Sequence, residues 1–100
     1  MESLELLNRD REVLIDILTS ELPVLRARLG ISQEDISKCV GISRQTYSLV
    51  EWKKQKMTWV TFMALLSFFE YNPPAKDLLE KIGFYKNIAF KKCLLYKWGG

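Results

Sequence analysis

The side chains best suited to recognise another molecule lie on one face of a short helix predicted after Ser43. Tyr47 and Val50 are three residues apart and share the inner face of that helix. Its outward face then holds guanidinium, amide, hydroxyl and methyl groups, supplied by Arg44, Gln45, Ser48 and Leu49. Guanidinium and amide groups form paired hydrogen bonds with the polar edges of bases. The pattern therefore predicts a helix that reads bases in a groove of DNA.

A second short helix is predicted directly before this one. Ile36 and Val40 are four residues apart and share one face, and Ser32 is a suitable N-cap. Gly41 lies where a chain leaving a helix often needs positive φ, and Ser43 can cap the following helix. Two amphipathic helices joined by a glycine turn have the geometry that places a helix in DNA. DNA binding is therefore the leading hypothesis.

From about residue 22 to about residue 69, roughly half of the chain, the sequence resembles the Xre/Cro-like phage-repressor family of helix-turn-helix DNA-binding regulators. The resemblance is carried by these segments together: Leu25-Arg26, Leu29-Gly30, Ile31-Ser32-Gln33-Glu34-Asp35-Ile36, Gly41-Ile42-Ser43-Arg44-Gln45-Thr46 and Glu51. It implies an all-α, lambda-repressor-like helix-turn-helix bundle of about five core helices, which usually dimerises on a two-fold operator. An added N-terminal helix and a C-terminal extension complete the predicted fold.

The resemblance also implies roles for individual side chains. Gln33 matches the residue that bonds a phosphate from a helix N-terminus. The positions that face the bases are Arg44, Gln45, Ser48 and Leu49. Arg26 and Glu51 match positions that form an ion pair in some members of the family, which ties the first core helix to the recognition helix. We add Ser43, at the start of the recognition helix, to the phosphate-binding set.

The chain departs from the family pattern at several positions. Ser37 replaces the usual alanine where the two helices cross closely, and serine is small enough to fit. Trp52 and Lys53 follow Glu51, so no glycine is present there for a left-handed cap, and the following loop is not defined by the resemblance. Pro23 is tolerable only in a first helical turn, which predicts that the first core helix begins near Ser20 or Glu21.

Charge is unevenly distributed along the chain, whose total is +3. Residues 1–19 carry a net charge of −3, whereas residues 20–60 and 61–100 carry +3 each. Lys53, Lys54 and Lys56 crowd beyond the recognition helix, where phosphates would run if that helix lay in a groove. Alone they would be a solvated basic loop, but beside the motif they are predicted to bind phosphate.

One hundred residues with 48% hydrophobic content predict a single domain over residues 1–100. We divide it into an N-terminal helical extension (1–19), a helix-turn-helix DNA-binding core (20–70) and a C-terminal helical extension (71–100). The apolar spacing predicts a helix over residues 4–18 and a second helix, capped by Thr58, that runs to Phe69 and is buried on more than one side. Asn72-Pro73-Pro74 ends that helix and begins another, which runs to Gly83.

The segment from Phe84 to Trp98 is aromatic and basic, and its spacing fits either a helix or a strand. Helical spacing at Tyr85, Ile88 and Ala89 favours the helix, which is our prediction. The large apolar groups of this segment have two alternative roles, which we weigh equally. They either pack in the core or form a homodimer interface, made with the N-terminal helix or with the same segment of a second copy.

Several classes of function are disfavoured by composition. The chain has no histidine, no phosphate-binding glycine loop and no paired carboxylates in an apolar pattern, so we expect no enzyme. Cys39 and Cys93 are too far apart for a zinc motif, so no metal or other cofactor is expected. Both thiols are predicted to be small, partly buried residues, with a disulfide or redox switch as the minor alternative. No signal peptide or membrane span is seen, which predicts a cytoplasmic protein.

These observations predict a homodimeric transcription regulator, a repressor rather than an activator, that occupies a palindromic site on double-stranded DNA. The rival hypothesis is a protein-interaction module, such as an antitoxin or adaptor, that uses the same fold as scaffold. In that case the aromatic C-terminal stretch would hold a partner protein. Trp52 and the missing glycine favour the rival slightly, whereas the outward Arg44 and Gln45 with the nearby lysines favour DNA.

Overall fold

The computed structural model describes the backbone of residues 4–94 and the side chains of residues 5–94. These residues form α-helices and a short 3₁₀ helix, with no β-strand among them. The elements follow in the order α1 (Leu4–Leu29), α2 (Gln33–Val40), α3 (Arg44–Glu51), α4 (Trp59–Glu70), α5 (Pro73–Lys81), the 3₁₀ helix (Phe84–Lys86) and α6 (Ile88–Leu94). The predicted all-α class is confirmed.

The longest element, α1, forms the centre of the fold and contacts α3, α4, α5 and α6. One face of α1 carries four leucines that are all fully buried, Leu14, Leu18, Leu22 and Leu25. Their spacing of four, four and three residues keeps them on one side of the helix. Because this face is continuous, the same helix supports both the α2–α3 pair and the C-terminal helices.

Pro23 lies inside α1 rather than near its start. The predicted helix start at Ser20 or Glu21 is therefore wrong, since residues 4–19 belong to the same helix. An internal proline costs about 3 kcal/mol, but four buried leucines contribute about 8 kcal/mol at about 2 kcal/mol each. The ring of Pro23 points to the exposed side of α1, while Leu22 beside it is buried. The burial of leucines before and after Pro23 therefore outweighs the destabilisation that the proline causes.

The caps predicted around α2 and α3 are present. Ser32 accepts a hydrogen bond from the backbone N–H of Asp35 at 3.0 Å, and the Asp35 carboxylate accepts one from Ser32 N–H at 3.1 Å. Ser43 accepts from Thr46 N–H at 3.0 Å and so caps α3. Gly41, with φ of 78°, occupies the left-handed position that ends α2. Short-range sequence signals thus fix both helix starts and the turn between them.

Ser37 of α2 is buried, as expected for a small residue where two helices cross closely. Its hydroxyl donates to the carbonyl oxygen of Glu34 at 2.8 Å. The hydroxyl is therefore satisfied within its own helix, and the serine avoids the cost of an unpaired buried polar group.

The chain leaves α3 through a left-handed residue even though glycine is absent. Lys53 has φ of 61°, the described residues' one positive φ outside glycine. Its N–H donates to the carbonyl oxygen of Val50 at 3.0 Å, and Lys54 N–H donates to that of Leu49 at 2.9 Å. This pair of bonds is the Schellman arrangement. Lysine thus takes the position that glycine usually fills, at a cost of about 1 kcal/mol.

Helix α4 begins at the predicted cap Thr58, whose hydroxyl oxygen accepts from Thr61 N–H at 3.1 Å. The core face of α4 is wide, with Phe62, Leu65, Leu66 and Phe69 buried and Trp59 and Phe68 partly so. Val60, however, is 78% exposed and Met63 is exposed as well. The prediction that α4 is buried on more than one side is therefore wrong for this stripe, because no element of the described chain covers it.

The segment predicted as helix from Phe84 onward is helical in its described part, as the 3₁₀ helix followed by α6. Asn87 separates the two, and its side-chain oxygen accepts from Ala89 N–H at 2.7 Å. The rings of Phe84, Tyr85 and Phe90 meet edge to face at centroid distances of 5.1 to 5.5 Å. These aromatic groups pack with one another against the core. Leu95, Tyr96 and Trp98 lie outside the described residues.

The two cysteines are free thiols in different surroundings. Cys93 is partly buried, as predicted, and burial raises the pKa of its thiol. Cys39 is exposed, so the prediction of partial burial is wrong for this residue. The reason is its place on α2, where Ile36 and Ser37 occupy the buried side.

Candidate nucleic-acid interface

The outward face of α3 presents the side chains that the sequence predicted to face a ligand. Arg44, Gln45 and Leu49 are exposed, and Ser48 is half-buried. On the opposite side, Tyr47 and Val50 are buried in the core. The helix therefore has one face for anchoring and another that is accessible.

An open depression of about 440 Å³ lies along this face, lined by Arg44, Gln45, Ser48, Leu49 and Trp52. Trp52 is 61% exposed and was not included in the predicted set. Its place follows from the spacing, since Ser48 and Trp52 are four and eight residues after Arg44 and so share one face. The surface thus combines a cation, an amide and a hydroxyl with two large apolar groups.

A buried carboxylate anchors the inner side of α3. Glu51 is only 7% exposed, and its two oxygens accept a bidentate pair of bonds from Arg26 of α1, both at 2.8 Å. Arg26 also donates to the carbonyl oxygen of Ile31 at 3.1 Å. The ion pair implied by the family resemblance is therefore present. It ties α1, the turn before α2, and the end of α3 together.

Two further donors complete the surroundings of Glu51. The hydroxyl of Tyr47 donates to Oε1 at 2.7 Å, and the side-chain amide of Gln33 donates to Oε2 at 2.8 Å. The carbonyl oxygen of Gln33 in turn accepts a hydrogen bond from the Ser48 hydroxyl. Sequence reasoning assigned Gln33 to a phosphate and missed these bonds, which join residues of two different helices. In the structure Gln33 links Ser48 on the accessible face to Glu51 in the interior.

These contacts determine the charge states of the site. Burial acts to raise the pKa of Glu51, but hydrogen bonds from Arg26, Gln33 and Tyr47 outweigh it, so the net pKa is below its ordinary value. The hydrogen bond to Glu51 raises the pKa of Arg26. Burial, with the bond to Glu51, raises the pKa of Tyr47. Near neutral pH the site therefore holds an ionised carboxylate, a guanidinium cation and a neutral phenol.

The lysines predicted to bind phosphate lie together beyond the end of α3. Lys53, Lys54 and Lys56 are exposed and border a second depression of about 280 Å³. Its other lining residues are Ile15, Asp16, Thr19, Ser20, Gln55 and Met57. Lys56 is 3.7 Å from a carboxylate oxygen of Glu12, which offsets part of its charge. The basic loop thus adjoins α1 as well as the accessible face of α3.

Ser43, also predicted to bind phosphate, uses its hydroxyl within the protein. The oxygen accepts from Thr46 N–H, and the hydroxyl donates to the Thr46 hydroxyl at 2.9 Å. Both groups are at the N-terminus of α3, where the helix dipole favours an anion. The side chain of Ser43 therefore orders this terminus, and its backbone lies at the place where an anion is favoured.

Two other features are not found among the described residues. No helix among them is long and apolar enough to cross a bilayer. In the same part of the chain, no three His, Cys, Asp or Glu residues are grouped so that they could hold a metal ion. Comparison with models of known protein families, curated proteins and solved structures finds no match to this chain. We therefore infer function from the geometry of α3 and its surroundings.

Proposed function

We propose that the protein is a sequence-specific DNA-binding transcription regulator of the helix-turn-helix type, acting in the cytoplasm as a homodimeric repressor on a palindromic operator. The observation that supports this most strongly is the division of α3 into two faces. Its inner face is held by the pair of buried Glu51 and partly buried Arg26, and its outer face presents Arg44 and Gln45 to solvent. A rigidly anchored helix with outward bidentate groups suits the reading of bases in the major groove.

In the proposed mechanism α3 lies in the major groove and each side chain has a defined partner. Arg44 pairs with the O6 and N7 edge of guanine, and Gln45 with the N6 and N7 edge of adenine. Each such pair discriminates against the wrong base by about 1–3 kcal/mol. Leu49 and Trp52 offer apolar surface to the methyl group of thymine. The groups that contact bases therefore all lie on the outward face of α3, to which Ser48 also belongs.

The proposed phosphate contacts set affinity without choosing bases. Lys53 and Lys54 come after Trp52, the C-cap of α3, at the end of the helix where the DNA backbone would pass. Lys56 contributes less, because Glu12 shares its charge. Gln33 retains a second amide N–H beyond the one given to Glu51, and this donor is suited to a phosphate oxygen. Binding should therefore weaken as salt concentration rises.

The homodimer follows from the need to place two copies of α3 in successive major grooves, about 34–36 Å apart. Leu6 and Val13 on α1 and Ile88 on α6 are large apolar side chains that are exposed in the single chain. These two helices pack against each other, so their outer surfaces can contribute to one interface. We assign the dimer contact to α1 and α6.

The proposal is tested by selecting bound duplexes from a random-sequence pool near physiological salt. Wild-type protein should enrich a palindromic site, and the double variant Arg44→Ala/Gln45→Ala should not. Lys76→Ala, which removes an exposed charge on α5, serves as the matched control and should enrich the same site as wild type. Enrichment by the double variant of the wild-type sequence would refute base reading by this face.

A protein-interaction module is the second candidate function, and one observation favours it. Trp52 and the neighbouring Leu49 place exposed apolar surface on the accessible face of α3. Such surface is typical of protein interfaces as well as of contacts with thymine. If no duplex is enriched above non-specific binding, this module becomes the better assignment, and the partner would be a protein.

A further inference from the structure

The hydrogen bonds that run from the interior to the accessible face of α3 have a fixed direction. The chain begins at Glu51, whose ionised carboxylate has no hydrogen to donate and can only accept. Four donated bonds reach it, two from Arg26 and one each from Tyr47 and Gln33. Whatever lies against this carboxylate must therefore present a hydrogen.

Gln33 continues this chain of hydrogen bonds because its side-chain amide has a donor, the NH₂ group, and an acceptor, the carbonyl oxygen. The NH₂ group must face Glu51, since its carbonyl oxygen there would oppose the carboxylate. The carbonyl oxygen of Gln33 is consequently turned towards Ser48. The orientation of this amide is thus determined by the carboxylate on one side and the hydroxyl on the other.

Ser48 is the last member of the chain. A carbonyl oxygen can only accept, so the single hydroxyl hydrogen of Ser48 is used by Gln33. What remains on the Ser48 oxygen is lone-pair density, and Ser48 borders the depression on the accessible face of α3. A serine hydroxyl can ordinarily donate or accept towards a base. Here it is restricted to accepting.

We propose that Ser48 is a specificity-determining residue that accepts a hydrogen bond from the exocyclic amino group of adenine or cytosine in the major groove, with Gln33 as its positioning residue. The inference rests on the proposed function. In the major groove the donors are the N6 amino group of adenine and the N4 amino group of cytosine. Guanine O6 and N7 and thymine O4 are acceptors and would face the Ser48 oxygen without a hydrogen between them.

The first test uses the selected site. Ser48→Ala should lose base preference at one position per half-site, and wild-type protein should prefer adenine or cytosine at that position over guanine or thymine by about five-fold. Every base pair presents one such amino group, on adenine or on cytosine, so the base analogue described next assigns the strand that Ser48 contacts. A Ser48-dependent preference that separates A·T from G·C pairs, or purines from pyrimidines, instead of amino from keto bases would overturn the inference while leaving the proposed function intact. The inference is also overturned if Ser48→Ala changes the preference at no position. Failure of the wild type to enrich any site would refute the proposed function and the inference with it.

A base analogue tests the same contact atom by atom. The adenine or cytosine at that position is replaced by the purine or pyrimidine analogue that lacks only the exocyclic amino group. Wild-type affinity should fall about five-fold, and Ser48→Ala affinity should be unaffected by the replacement. An equal loss in both proteins would reflect weaker base pairing in the duplex and would overturn the inference.

Gln33→Ala tests the positioning role, because it releases the hydroxyl hydrogen of Ser48. Glu51 keeps the bonds from Arg26 and Tyr47, and folding is checked by circular dichroism and urea unfolding. Discrimination against guanine and thymine at the Ser48 position should then fall about five-fold, with preferences elsewhere in the site retained. Loss of a phosphate contact or of a purely structural role would weaken binding to all sequences equally. Uniform weakening with unchanged discrimination at the Ser48 position would therefore overturn the positioning role of Gln33.

Discussion

The two faces of α3 differ in what holds each side chain in place. On the inner face, Tyr47 and Glu51 are buried and bonded to each other, and Glu51 is paired with Arg26 of another helix. On the outer face, Arg44 and Gln45 extend into solvent. Substitutions on the inner face should therefore change the free energy of unfolding, and those on the outer face should change binding alone. Residues of the inner face thus hold α3 in place, and residues of the outer face make the proposed contacts with DNA.

The largest effect is expected from Glu51→Ala. It leaves the guanidinium of Arg26 unpaired in a partly buried place, which typically costs about 3–5 kcal/mol. Urea unfolding measures this loss. Arg44→Ala, on the opposite face of the same helix, is the control and should change stability by less than about 0.5 kcal/mol. Comparable losses from the two variants would contradict the division into faces.

Tyr47→Phe should have the next largest effect. The substitution keeps the buried ring and removes only the hydroxyl that donates to Glu51 at 2.7 Å. A hydrogen bond to a charged group contributes about 1.5–3 kcal/mol, so stability should fall by about that amount. In a Glu51→Ala background the same change should have a much smaller effect, because its acceptor is gone. An undiminished loss in that background would show that the hydroxyl acts elsewhere.

Acid should weaken the inner face through Glu51. The pKa of Glu51 is lower in the folded state than its ordinary value of 4.5, so the unfolded chain binds the proton more readily. The stabilisation is therefore complete above about pH 4.5 and is lost as the pH falls through the folded-state pKa. Urea unfolding at a series of acidic pH values should show this loss, and Glu51→Gln should reduce it.

Asp35 contributes to the same acid dependence and needs its own control. Hydrogen bonds from the backbone and side chain of Ser32 lower the pKa of its carboxyl. Because this shift has the same sign, Asp35→Asn should remove a separate part of the acid loss. A pH profile left unchanged by Glu51→Gln would contradict the role given to Glu51.

The smallest effect is expected from Lys53→Gly, where stability and binding should move in opposite directions. Glycine relieves the positive φ of 61° and should stabilise the protein by about 1 kcal/mol. Loss of the charge should reduce the dependence of DNA affinity on salt by about 0.9 in log–log slope. Lys53→Ala separates the two effects, because it removes the charge and keeps the backbone strain. A stability gain from alanine equal to that from glycine would contradict the backbone explanation.

Features determined by neighbouring residues were predictable from the sequence. The caps Ser32, Ser43 and Thr58 and the left-handed Gly41 all depend on residues within one helical turn, and each is present in the structure. The inward and outward faces of α3 follow from the same local periodicity. The resemblance added the pairing of Arg26 with Glu51, which lies 25 residues away and which periodicity alone does not give.

Features determined by distant contacts were not predictable from the sequence. The passage of α1 through Pro23 depends on leucines buried by helices much later in the chain. The bonds of Gln33 to Ser48 and Glu51 require α2 and α3 to be placed in space first. Lys53 is a separate case, because the bonds that fix its left-handed conformation are local but lysine does not favour positive φ and so gives no sequence signal.

The continuity of α1 has a mechanical consequence. A helix of 26 residues is about 39 Å long at about 1.5 Å per residue, and the longest dimension of the molecule is 42 Å. Near its C-terminal end, α1 is joined to α3 by the Arg26–Glu51 ion pair, and α1 also packs against α6. Rotation of α1 by about 5° around one end displaces its other end by about 3 Å, the length of one hydrogen bond. The orientation of α3 therefore depends on how α1 packs along its entire length.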